Sequence, residues 1–224
     1  MLNTSVVVPA TTGVGLRERK KRATRRAISD AALHLALERG IDVVRVEDIA
    51  AAANVSTRTF NNYFRNKAEA IWSSGVDRAQ RIGAALRARP ADEPLWVGVE
   101  AVILPEYDDA SSGRDPELAR RRVLILTSSP ALRESYLLVT AATQRALASA
   151  IAARMGTDER TDTLPEILAG AITAATQIAL GRWVAVEPAV AIGPLMASTL
   201  RRLAAAWPNV EAELRRVPSE RDQP

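Results

Sequence analysis

Residues 42–67 read DVVRVEDIAAAANVSTRTFNNYFRNK, a short apolar-faced helix, a tight turn, a second short helix and a polar restart. Val46, Ile49 and Ala50 fall at i, i+3 and i+4, the spacing of one buried helical face. Asn54 stands where the first helix must stop, and Asn tolerates the left-handed backbone that ends helices. Val55 supplies an apolar plug for the turn, and Ser56 or Thr57 is the cap of the second helix. That helix is predicted to turn Thr57, Arg58, Thr59, Asn61 and Asn62 outward. Phe60, Tyr63 and Phe64, again at i, i+3 and i+4, are placed to face the core. A rigid helix with hydrogen-bonding side chains near its N-terminus is the shape that enters a DNA major groove.

Before this stretch, residues 17–39 read as one helix that ends at Gly40. Arg17, Arg19, Lys20, Lys21, Arg22, Arg25 and Arg26 crowd its first turns. Cations there oppose the helix dipole, and a nearby phosphate backbone would relieve them. Residues 1–16 read as a disordered arm: they lack the basic n-region and long apolar run of a signal peptide. Charge is uneven along the chain. Residues 1–89 carry 16 Lys/Arg against 8 Asp/Glu, and residues 90–224 carry 14 against 18. A basic first third and an acidic remainder suggest that only the former meets a polyanion.

Beyond Lys67 a helix runs toward Pro90, and ARPADEP (88–94) is the best domain-boundary candidate. Further helices are expected near 94–104, 116–127, 130–155, 163–186 and 188–206. Turn-rich stretches separate them, with a frayed tail at 211–224. No stretch alternates at period two, so the expected fold is all-α, about nine helices. A helix-turn-helix domain over 17–89 (the motif itself about 45–64) would precede a helical domain over 90–210. No apolar run reaches the length needed to span a bilayer. The absence of Cys excludes disulfides, thiolate metal sites and cysteine nucleophiles. No Gly-rich phosphate loop, nucleophile elbow or metal-spaced cluster is present, so neither enzyme activity, cofactor nor metal is expected.

The first third resembles the TetR family of bacterial transcriptional regulators. The residues that carry the resemblance are Ile28, Ala31, Ala32, Leu35 and Gly40, then Val46-x-Asp48-Ile49-Ala50 and Ala53-Asn54-Val55-Ser56. Thr59-Phe60-x-x-Tyr63-Phe64 and Asn66-Lys67 complete the set. Four positions depart from the family's pattern. Asn54 replaces a Gly, Arg45 stands where Thr or Ser caps the helix, Asn61 replaces an aromatic, and Ala36 replaces a Phe. With Arg45 unable to cap, Glu47 and Asp48 compensate through the dipole. The resemblance implies a cytoplasmic bacterial regulator bound to double-stranded operator DNA. It implies a homodimer through about 163–206, and a small effector held among the helices of 94–185. Residues 119–156 are similar to an actinobacterial branch of the family, some members of which sense acyl-thioesters.

For DNA the candidates are Arg58, Thr57, Thr59 and Asn62 at base edges. Ser56 and Asn61 lie beside them, with Lys67, Tyr63 and Arg45 at phosphates. Tyr63 reads equally as core. For a hydrophobic effector the candidates are Trp96, Ile103, Tyr107, Leu124, Tyr136 and Trp183, any of which also reads as ordinary core. Arg120, Arg121 and Arg122 read as an anion site or a solvated face. His34, the only histidine, reads as solvated. The expected function is a ligand-responsive regulator, a repressor released by a hydrophobic effector such as an acyl-CoA. The rivals are a small-molecule-binding protein or enzyme with an incidental helix-turn-helix-like fold, and a nonspecific architectural DNA protein.

Overall fold

The computed structural model describes residues 12–111, 116–158, 160–185, 191–207 and 209. Among them are nine α-helices, one 3₁₀ turn and no strand. The chain divides into two compact units, one ending at Ile71 and one beginning at Trp72. The division falls inside a helix rather than at the breaker 88–94.

The first unit contains α1 (Thr12–Arg39), α2 (Val46–Ala52), α3 (Thr57–Tyr63) and the opening of α4 (Lys67–Arg87). Helix α1 starts five residues earlier than expected, so residues 12–16 are helix, not arm. The expected arm and tail otherwise lie outside the described residues. Ile28, Ala32, Leu35, Ile49, Phe60 and Phe64 form its buried core. The chain leaves α1 at Gly40, whose φ of 83° is the left-handed stop.

The second unit continues through α5 (Leu95–Ser111), α6 (Pro116–Ser128), the 3₁₀ turn Pro130–Leu132, α7 (Arg133–Met155), α8 (Leu164–Val184) and α9 (Gly193–Ala206). Helix α5 passes straight through Pro105, where a stop near 104 is expected from the sequence. Pro removes one donor, but Pro105 and Ala101, whose carbonyl loses its partner, are both exposed. The freed carbonyl is therefore open to hydration, which offsets the missing bond. Helix α9 begins at Gly193-Pro194 rather than 188, since Pro in the first turn suits a helix start.

Helix α7 packs on α8, α8 on α9, α5 on α9, and α6 on α7 and α8. Leu147, Ile151, Leu168, Ile172, Trp183, Met196, Leu200, Val99 and Ile103 belong to one buried cluster. The packing is uneven along α7. Its buried residues begin at Leu147, and residues 133–146 are all half-buried or exposed. Of α6, only Ala119 is buried among the described side chains.

One expectation is qualified, that no apolar run is of membrane-spanning length. Helix α8 is long and apolar enough to cross a membrane by length and composition. Burial accounts for one face of it: Leu168, Ala169, Ile172, Ala179 and Trp183 face the core.

Candidate nucleic-acid interface and effector site

The turn between α2 and α3 is built from backbone bonds that the sequence permits. Asn54 has φ 53°. Its N–H donates to Ala51 O at 3.0 Å, and the Val55 N–H reaches back to Ala50 O at 2.9 Å. This is the paired bonding of a Schellman ending, and Asn supplies the left-handed residue in place of Gly. Ser56 is the cap of α3: its Oγ accepts from the Thr59 N–H at 3.0 Å and lies 2.8 Å from Thr59 Oγ1.

Helix α3 therefore has a defined back and front. Phe60 and Phe64 are buried, their rings 5.8 Å apart and tilted. Arg58, Asn61 and Asn62 are exposed on the opposite side, and Thr57, Thr59 and Tyr63 flank them half-buried. Thr57 and Thr59 are thus edge residues rather than fully outward, and Tyr63 lies between the core and the phosphate placements. Arg58 has five donors for a guanine edge; Asn61 and Asn62 each offer the donor–acceptor pair that matches adenine.

Two flanking residues have distinct settings. Arg45 precedes α2 without a side-chain cap, and its backbone N–H is accepted by Asp48 Oδ2 at 3.0 Å. Its guanidinium is left exposed. Lys67 differs from expectation. Its ammonium donates to Ile41 O at 2.6 Å, Val44 O at 2.8 Å and Asp42 O at 3.3 Å. Three donors meet three carbonyls, so Lys67 ties the α1–α2 connection to the start of α4 and has no proton left for a phosphate. Asn66 caps α4 beside it, accepting from the Glu69 N–H at 2.8 Å.

The proposed effector residues separate into three groups. Ile103 and Trp183 are buried in the packed core, where they are structural. Leu124 is 41% exposed on α6. Trp96, Tyr107 and Tyr136 are half-buried. Tyr136 lies 5.5 Å from the Trp72 ring, and the Arg78 guanidinium sits 5.2 Å from the Tyr107 centroid. Trp72 and Arg78 are missed by sequence reasoning, because nothing in a helical pattern shows which residue of another helix will face it. The indole N–H groups of Trp72 and Trp96 and the Ser73 hydroxyl are buried without a hydrogen-bond partner. Arg120 is committed elsewhere: it grips both Glu117 oxygens at 3.0 Å and donates to Val184 O at 2.9 Å, at the end of α8. It cannot lead an anion site. His34 is exposed and pairs with Glu38 at 3.2 Å.

The far face of α8 is also apolar. Ile167, Ala171, Ala174, Ile178 and Gly181 recur at helical spacing along it. Ile167 and Ile178 are 53% and 54% exposed.

Comparison with known proteins fits this geometry. Residues 28–69 match the family described as bacterial regulatory proteins, tetR family. Residues 93–208 match the family described as MftR C-terminal domain. The chain is 34% identical over 177 residues to the HTH-type transcriptional regulator TcmR of Streptomyces glaucescens, covering 76% of this chain and 77% of that protein. It is 25% identical over 167 residues to MftR of Mycobacterium tuberculosis, described as a mycofactocin biosynthesis transcriptional regulator, covering 74% and 82%. A TetR-family regulator from Syntrophomonas wolfei superposes with TM-score 0.63 at 18% identity, over 85% of this chain and 97% of that one. SmeT in complex with triclosan superposes with TM-score 0.58 at 21% identity, over 82% and 91%.

Proposed function

Since the chain belongs to the TetR family of transcriptional regulators, we propose that it is a repressor. It would bind operator DNA as a homodimer and leave it when a small hydrophobic effector binds. The observation that carries the DNA half is α3, capped by Ser56, anchored by Phe60 and Phe64, and open through Arg58, Asn61 and Asn62. Arg58 and the two Asn read base edges. Ser56, Thr57, Thr59, Tyr63 and Arg45 lie at the groove walls. As a DNA-binding regulator, the protein works in the cytoplasm, where the chromosome lies.

The dimer reading rests on α8. A helix apolar on both faces needs two apolar partners; the first is the core, and the stripe Ile167–Ala171–Ala174–Ile178 is left for the second. Helices α8 and α9 of two copies meeting there form an isologous interface.

The effector reading rests on the unevenly packed end of the second unit. There, α6 and the first half of α7 hold half-buried apolar side chains without a solid core. Trp72, Tyr107 and Tyr136 supply flat apolar surface. The unpartnered indole N–H of Trp72 fits an acceptor oxygen on an otherwise hydrophobic ligand. An acyl-CoA is the specific form that the resemblance of residues 119–156 suggests, though Arg120 offers no free charge to its phosphates. Ligand would favour a dimer whose two α3 helices no longer match grooves about 34 Å apart.

A gel shift on the DNA upstream of the protein's own gene, with scrambled competitor, tests the first half. Release by acyl-CoAs, fatty acids or aromatic hydrophobes tests the second. Release only by sugars or amino acids would refute the hydrophobic effector.

A further inference from the structure

Helix α1 is much longer than its core requires. Its 28 residues extend about 42 Å, yet its buried residues begin only at Ile28. Residues 15–23 are all exposed. No acidic residue lies in its first turn. Such a segment gains nothing from burial, and its like charges at i, i+4 repel.

The charges on this segment are not equivalent. Arg19 donates to Gly15 O at 3.1 Å, Arg22 pairs with Glu18 at 3.4 Å, and Arg26 faces Asp30 at 3.8 Å. These three lie on one side of the helix and are satisfied within it. Arg17, Lys20 and Lys21, at i, i+3 and i+4, share another side and have no partner among the described residues. One turn further along that side is Arg25, whose guanidinium lies 4.7 Å over the ring of Phe64, the residue that ends α3. The unpaired face of α1 is thereby continuous with the end of the groove-reading helix.

We propose that Arg17, Lys20 and Lys21 form a second contact surface of their own, bound to the phosphate backbone of duplex DNA flanking the bases read by α3. The inference rests on the DNA-binding reading above. Three unpaired cations on one face are complementary to a regular line of phosphates. That contact also removes the repulsion that the free helix carries. It carries no sequence information, since phosphates are alike in every sequence.

The test compares two triple variants of the full chain with equal charge loss. One is Arg17→Gln, Lys20→Gln, Lys21→Gln; the other is Arg19→Gln, Arg22→Gln, Arg26→Gln. Binding to scrambled duplex and to the upstream duplex, each about 40 base pairs, is followed between about 50 and 200 mM salt. The first variant should flatten the slope of log affinity against log salt by about 5 on both duplexes, roughly 0.9 for each of the six cations a bound dimer loses. The second should change it by less than half as much. Equal changes in both variants, or none in either, overturn the proposal while leaving α3 as the reader. Wild type that binds neither duplex overturns both readings. Because all six substituted residues are exposed, neither variant should lower the thermal midpoint, which separates lost contact from lost fold.

Discussion

Helices α3 and α8 each turn one face to a core and leave the other open, and the open faces differ in kind. That of α3 presents Arg58, Asn61 and Asn62; that of α8 presents Ile167, Ala171, Ala174 and Ile178. A polar open face keeps its hydration until bases with matching donors and acceptors replace it, so it serves selection. An apolar open face is unfavourable in water at about 25 cal/mol per Å², so it serves lasting association. On the proposed reading, one chain carries a reversible surface and a lasting one.

The largest test of this contrast is a pair of charges on helices α8 and α9. Leu200→Asp buries a carboxylate in the core, where Leu200 is buried against its neighbours. It should cost more than about 4 kcal/mol and give insoluble or unfolded protein. Ile178→Asp, on the open stripe, should leave the helices intact and give monomers in sedimentation. If Ile178→Asp remains dimeric, the α8 face is not the interface.

Next comes the back of α3. Phe60→Ala should destabilise the first unit by about 3–5 kcal/mol. Hydrogen exchange should lose protection over residues 46–64 while residues 147–183 keep theirs. Loss in both regions would show that the two units unfold as one.

Arg58→Ala should weaken operator binding by about 1–3 kcal/mol and relax preference at one base position, with the salt slope nearly unchanged. Weakening by the same factor on scrambled DNA would move Arg58 from base edge to phosphate.

The smallest effects are at the turn and the clasp. Asn54→Ala should cost about 1 kcal/mol through left-handed strain, and Asn54→Gly should cost less; thermal melts distinguish them. Glu93 lies where α4 gives way to α5, gripped by Arg89, while Arg154 donates to Glu93 O at 2.7 Å and Arg89 O at 3.2 Å. The Arg89 hydrogen bond holds the Glu93 carboxyl below the ordinary carboxylate value. Its stabilising effect is therefore present above that value and lost as pH falls through the depressed one. The difference in melting temperature between wild type and Glu93→Gln should shrink on acidification below about pH 4.

The helix-turn-helix was legible because its determinants are local. Asn54 makes the stop, Ser56 the cap and Phe60 the anchor through bonds spanning a few residues, and each residue type announces that role. The all-α class and the outward placement of Arg58, Asn61 and Asn62 follow from the same short range. Lys67 shows where local reading ends: its three carbonyl partners lie 23 to 26 residues away, and only the folded chain reveals that its charge is engaged. Arg120 behaves likewise, reaching Val184 at the end of α8.

The proposed effector region was the least legible part, since apolar helices have the same composition whether they pack or leave a gap. Ile103 and Trp183 proved to be core, Leu124 exposed, and Trp72 beside Tyr136 went unforeseen. By itself the sequence determined the helical class, the capped turn and the polar chemistry of the outer face of α3, all set by hydrogen bonds and periodicity within a few turns. Only the tertiary structure decided which charges are neutralised, which aromatics are buried and which apolar face of α8 is left open, because each depends on a neighbour distant in the chain.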